Sequence, residues 1–182
     1  MRYANEFNEI LPSLADNSEL RQRVVQLIQT KPIPGKAIEE DTRVNKFRGI
    51  LIELIEGNIS SLEESYSKVE FGIPRDESKY LSDNRVFASG WSERLVRTQL
   101  SRFYNQAILE ELKDRGEEEC FVPASSSHNL SSRCEIIQNK NYKVHELLKN
   151  LITNYENGQF DQSIKIPEHP HCLHVVKPKN II

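Results

Sequence analysis

The sequence predicts a mainly α-helical body followed by a small α+β module. Two observations carry that expectation: apolar residues recur at helical spacing up to Gly116, and the period is lost after it. Composition adds a third. Of 182 residues, 37% are hydrophobic and 28% charged, which implies a thin core under a helical, solvated surface, or a protomer that completes its burial against neighbours.

The first helix lies in "NSELRQRVVQLIQTKPIPG", where Asn17 or Ser18 can cap and Leu20, Val24, Leu27 and Ile28 form the apolar stripe. Pro32 and Pro34 end it, since neither can donate a backbone hydrogen bond and each restricts the residue before it. A second helix carries Val44, Phe47, Leu51, Leu54 and Ile55 and stops near Gly57. A short third helix follows in "ISSLEESYSKV", and "EFGIPRDESKYLSDN" reads as a loop because Gly72, Pro74 and a polar run break any period.

The strongest periodic segment holds Phe87, Trp91, Leu95, Leu100, Phe103, Tyr104, Ala107, Ile108 and Leu112 on one broad face. Gly90 is costly inside a helix, by roughly 1 kcal/mol relative to Ala, so this long central helix is expected to start at Trp91. Gly116 fits its left-handed terminus. Beyond it come a short extended piece, a Ser-rich turn, a hairpin-like "NKNYKV" and a helix with Leu147, Leu148, Leu151 and Ile152 inward. Pro167, Pro170 and Pro178 keep the tail from forming a long regular element. The expected division is therefore a helical body over 1–116 and a mixed module over 117–182.

The net charge of −3 gives no global field to draw the chain onto nucleic acid. The N-terminus lacks a basic region followed by an apolar one, and no stretch approaches the ~18 apolar residues of a membrane span. A soluble chain made in the cytoplasm, with no membrane partner, is the expectation. Cys120, Cys134 and Cys172 are odd in number and suit thiols or ligands better than a disulfide framework.

Cys134, His169, Cys172 and His174 form the candidate metal set. Zinc takes four N or S ligands in a tetrahedron, and thiolates and neutral imidazoles suit it. His169 and Cys172 are separated by two residues, the stiff Pro170 among them, and Cys172 and His174 would point the same way on an extended segment. Cys134, from the Ser-rich turn, would let a zinc ion staple two loops together. The alternative reading is an exposed histidine tail with Cys134 as a small buried hydrophobe.

Three other groups are weighed the same way. Arg94, Arg97 and Arg102, with Gln99, Gln106 and Lys113, could hold phosphate or an acidic partner, but Glu93, Glu110, Glu111 and Asp114 share the helix, and a mixed-sign face is usually solvated. Phe87, Trp91, Phe103 and Tyr104 read as core rather than as a base-stacking platform. Ser125 to Ser127 beside His128 supply nucleophile and base atoms, yet loop chemistry alone produces such a run. With no Gly-rich phosphate loop, HExxH or paired-carboxylate motif, no catalytic residues are assigned, and the expectation is a protein that is not an enzyme.

Read together, "RLVRTQLSRFYNQAILEELKDRG", "SSRCEIIQNKNYKV" and "IPEHPHCLHVVKP" resemble the Mu-type protein F-like minor head proteins, the phage head morphogenesis family. The matching positions are Arg97, Thr98, Tyr104 and Asn105, then Cys134, then Asn139, Lys140, Tyr142 and Val144, and last His169, Pro170, Cys172 and His174. The resemblance covers about residues 85–179. Gln99 stands where that family usually has Glu, His174 where it usually has a second Cys, and the Asp that commonly opens the family's second stretch is not evident.

The resemblance implies a structural virion component of a tailed phage. Such a minor head protein acts with portal and capsid proteins during head assembly, as an oligomer or ring, and sometimes contacts packaged DNA. A head-tail adaptor or capsid-decorating protein is the rival expectation, and a zinc-dependent hydrolase or nuclease a distant third. The third would need a metal with an open coordination position.

Overall fold

The computed structural model describes residues 3–179, and its architecture is mainly α with one small antiparallel sheet near the C-terminus. Helices α1 (Ile10–Asp16), α2 (Ser18–Thr30), α3 (Asp41–Ile55), α4 (Leu62–Gly72) and α5 (Trp91–Asp114) make the body. Strand β1 (Glu119–Val122), helix α6 (Ser132–Ile137), strand β2 (Lys140–Lys143), helix α7 (Val144–Leu151) and strand β3 (Lys177–Pro178) follow.

Local chemistry sets most boundaries. Asn17 caps α2, its side chain accepting from the Leu20 amide at 3.1 Å. Ser61 caps α4 by accepting from Glu64 N–H, while Glu64 accepts in turn from Ser60 N–H at 2.8 Å. Gly90, with φ +75°, precedes α5 and Gly116, with φ +72°, follows it, so the long helix begins at Trp91 as expected. Helix α4 runs to Gly72, further than the loop reading of 70–84 allowed, because Val69 and Ile73 are buried against the body. Helix α1 has no counterpart among the sequence expectations. It is two turns long with Pro12 in its first turn, where a missing amide proton costs nothing.

Helix α5 is the axis of the molecule, packed against α2, α4, α7 and β3. From Gln99 to Leu109 every residue of it is buried, which corrects the expectation of a solvated polar face. Arg102 is fully buried, Gln99 and Gln106 nearly so. Arg102 donates to the Pro32 carbonyl at 2.9 Å and to Gln106 Oε1 at 3.2 Å, and its guanidinium lies 3.8 Å from Glu156. Burial draws its pKa down to about 10, against the opposing pull of Glu156. Most polar groups of this face are satisfied internally, Arg102 Nη2 alone having an ion-pair neighbour but no hydrogen-bond partner among the described residues, and they fasten the α2–α3 connection and the turn after α7 onto α5.

The aromatics fall where core residues belong. Phe87 and Trp91 pack edge to face with centroids 5.0 Å apart, and Phe103 and Tyr104 are fully buried. One hydrophobic cluster runs from Tyr3 to Val176, so Gly116 marks a change of secondary structure while the core continues across it.

Strand β1 is central, in the order β2-β1-β3, with both pairings antiparallel. The "NKNYKV" segment pairs not within itself but with β1, Tyr142 opposite Cys120, and α6 fills the connection. Cys120 is buried on that strand, and burial pushes its thiol up to about 12. No helix among the described residues is long and apolar enough to cross a membrane.

Candidate metal centre

Two elements bring the site together. The first is α6, whose cap Ser131 accepts from the Cys134 amide at 3.2 Å. Cys134 therefore sits on the first turn of a short helix, not in the Ser-rich turn where the sequence suggested it. The second is the closing segment, which turns after Pro170, with the Cys172 amide donating to the His169 carbonyl at 3.0 Å. Cys172 and His174 then face the same side, as an extended pair two residues apart should.

Cys134 Sγ lies 4.0 Å from Cys172 Sγ and 3.2 Å from His169 Nε2, and Cys172 Sγ lies 3.7 Å from His174 Nδ1. Ligand atoms of Cys134, Cys172 and His174 all fall within 4.8 Å of one another, and all three residues are buried. His169, half-buried, joins this set through Cys134. The exposed-tail reading is thus corrected for His174, which is buried. His171 and His128 are exposed, and His171 stands 4.0 Å from Glu93 instead.

The donor separations suit one ion. Metal–sulfur bonds near ~2.3 Å and metal–nitrogen bonds near ~2.1 Å at tetrahedral angles put two sulfurs ~3.8 Å apart and a sulfur and nitrogen ~3.6 Å apart. The observed 4.0 Å and 3.7 Å lie close to both. The chemistry fits as well, because two thiols and an imidazole form the soft, nitrogen-and-sulfur donor set that zinc prefers. All three cysteines are free thiols.

Protonation is arranged in the same sense. A hydrogen bond from Cys172, helped by Ser131 and His169, draws the Cys134 thiol down to about 4. Cys172 is pushed well up, first by the neighbouring Cys134 sulfur and then by burial. Cys134 is therefore the more readily ionised thiol of the two, and a divalent cation bound here would displace the proton of Cys172.

Gln138 is the residue sequence reasoning missed. Its Oε1 accepts from the Ser125 amide at 3.0 Å, which fixes the orientation of the amide group, and the same oxygen lies 3.3 Å from His174 Nε2. An amide oxygen only accepts, so Nε2 carries the proton and Nδ1 keeps its lone pair on the cysteine side. Ligating histidines are commonly oriented by such a partner. No motif marks Gln138. Only its place directly after α6, a fold property, puts it there.

Two other resemblance positions, Arg97 and Asn105, anchor the same closing segment, and a third, Tyr104, ties Ala4 to α5. Arg97 donates to the Pro170 carbonyl at 3.4 Å and stacks 4.1 Å over the Phe7 ring, Asn105 accepts from the Val176 amide at 2.7 Å, and Tyr104 Oη accepts from the Ala4 amide at 2.7 Å. Ser125 and Ser126 do not pair with His128; Ser126 Oγ donates to Glu6 at 2.8 Å. Comparisons with protein-family models, with curated proteins and with solved structures return no match.

Proposed function

We propose that this chain is a structural virion component of a tailed phage, a minor head protein acting at the portal and capsid during head assembly. In this reading α5 is a rigid beam, and the closing segment over 166–179 is latched to it and cross-linked to α6 by a zinc ion held by Cys134, Cys172 and His174, with His169 beside them. The ion's chemistry would be structural, tying two segments that have little apolar mass of their own.

One observation supports the reading above others: residues of three separated motifs, chosen by resemblance to head morphogenesis proteins, meet around one closing segment. Cys134 meets His169 and Cys172, Arg97 meets Pro170, and Asn105 meets Val176. Chance likeness in three short motifs gives no reason for such convergence.

Cryo-electron microscopy of intact particles, with the chain located by a fused tag, tests the proposal. Density inside the head or against the portal is the expected result. A ring of copies beneath the portal would make it a head-tail adaptor instead, and a normal, DNA-filled particle assembled without the chain would overturn an assembly role.

A further inference from the structure

Beside the metal centre, between the N-terminal part of α5, the loop at 34–37 and the segment 160–170, lies an open cleft of about 680 Å³. That volume is in the range that holds small ligands. Its lining is unbalanced in charge. Five cations, Lys36, Arg85, Arg94, Arg133 and Lys165, face two carboxylates, Asp161 and Glu168.

Both carboxylates accept hydrogen bonds, although Glu168 Oε2 has no partner among the described residues. Glu168 accepts from Arg133 at 2.5 Å, and Asp161 accepts from Asn154 Nδ2 and the Ser163 amide, each at 3.0 Å. Lys36 and Arg85 share Asp83, at 3.9 Å and 3.3 Å. Arg94 and Lys165 are different: each donates to main-chain carbonyls alone among the described residues. Arg94 reaches Ser89 O at 2.6 Å and Ala88 O at 3.3 Å, and Lys165 reaches Asp161 O at 3.1 Å and Ser163 O at 3.4 Å. Carbonyls orient both cations; Lys165 also lies within reach of the Asp161 charge, whereas Arg94 meets no carboxylate among the described residues.

Lys165 is only 5% exposed, and its third ammonium donor has no acceptor among the described residues. At the rim stands Phe160, 69% exposed, its ring 5.9 Å from Tyr155 and edge-on at 84°, so most of the ring is uncovered. A large exposed aromatic beside Arg94, which has no carboxylate partner among the described residues, and the buried Lys165 offers a stacking surface next to a phosphate site.

We infer that this cleft binds a nucleoside phosphate, its base on Phe160 and its phosphates between Arg94 and Lys165. A simple anion would leave Phe160 without purpose, and an apolar ligand would leave Arg94 without an anion. The inference stands on the cleft alone and does not depend on the virion reading.

The chain carries its own reporter. Trp91 is its one tryptophan and lines the cleft. The full chain is titrated with ADP, adenosine, inorganic pyrophosphate and a short 5′-phosphorylated single-stranded oligonucleotide, followed by Trp91 fluorescence and in parallel by calorimetry. ADP should saturate, at least about tenfold tighter than adenosine or pyrophosphate. Phe160→Ala should weaken ADP about tenfold, as loss of a base stack does. Arg94→Gln should weaken it similarly and make ADP binding less sensitive to added salt. Both side chains are exposed enough that the fold should persist, which a melting curve checks. Saturation by ADP assigns the site to free nucleotides, and saturation by the oligonucleotide alone assigns it to a strand end; either upholds the class. No saturation by either, pyrophosphate binding as well as ADP, or a Phe160→Ala chain that binds ADP undiminished would overturn it.

Discussion

Asn105 Oδ1, buried in the middle of the long helix, accepts the Val176 amide at 2.7 Å across 71 positions of chain. Its Nδ2 is held in turn by the Ser101 carbonyl, also at 2.7 Å, so the acceptor is aimed before the closing segment arrives. Asn105→Ala should leave a buried amide without a partner and cost about 1–3 kcal/mol. Denaturant unfolding measures the loss, and the Val176 amide should become the fastest-exchanging proton of its segment.

Tyr104 gives a pH signature. Burial raises its pKa from 10 to about 12, so the folded chain resists tyrosinate formation. A raised folded-state value means a contribution fully present below about pH 10 and lost progressively as pH climbs from 10 toward 12, amounting to about 2–3 kcal/mol. Tyr104→Phe should lose stability at neutral pH, because the Ala4 amide forfeits its acceptor. It should also fall less steeply than the wild type above pH 10. Comparing the two chains cancels the alkaline contributions of Cys120 and Arg102, and stability curves from pH 7 to 12 make the test.

Arg102 tests whether the buried polar face is structural. Arg102→Met would strip the Pro32 carbonyl of its donor and leave Glu156 with Lys31, 3.7 Å away, as its cation, at a cost of about 1–3 kcal/mol for the buried polar groups left without a partner. Arg102→Lys should recover less than half of that. A single ammonium cannot reproduce the guanidinium fork that reaches Pro32, Gln106 and Gln99 together. Chemical denaturation of the three chains decides it.

Helices α2 to α5 were legible because apolar period, caps and glycines agree there; Asn17, Ser61, Gly90 and Gly116 each act locally. What escaped was set by tertiary structure. The residues of α5 around Arg102 look like a solvent face in sequence, and only the arrival of Pro32 and Glu156 turns them inward. Helix α1 is too short to show a period. At the candidate site the ligand types were legible from Cys and His spacing, but the helical setting of Cys134 and the orienting role of Gln138 were not, because both follow from where α6 packs. The cleft was illegible for the same reason, its walls coming from three distant segments.

The account turns on one zinc ion joining α6 to the closing segment, and metal stoichiometry on the purified full chain tests that most directly. Under reducing conditions the wild type should hold one zinc per chain, and cobalt replacement should give thiolate-to-metal charge-transfer bands of tetrahedral type. Cys134→Ser and Cys172→Ser should each abolish those bands. A chelator should lower the wild-type melting temperature to about that of the two variants and leave theirs unchanged. A wild-type chain that binds neither metal, or whose melting is the same with and without chelator, would contradict the account.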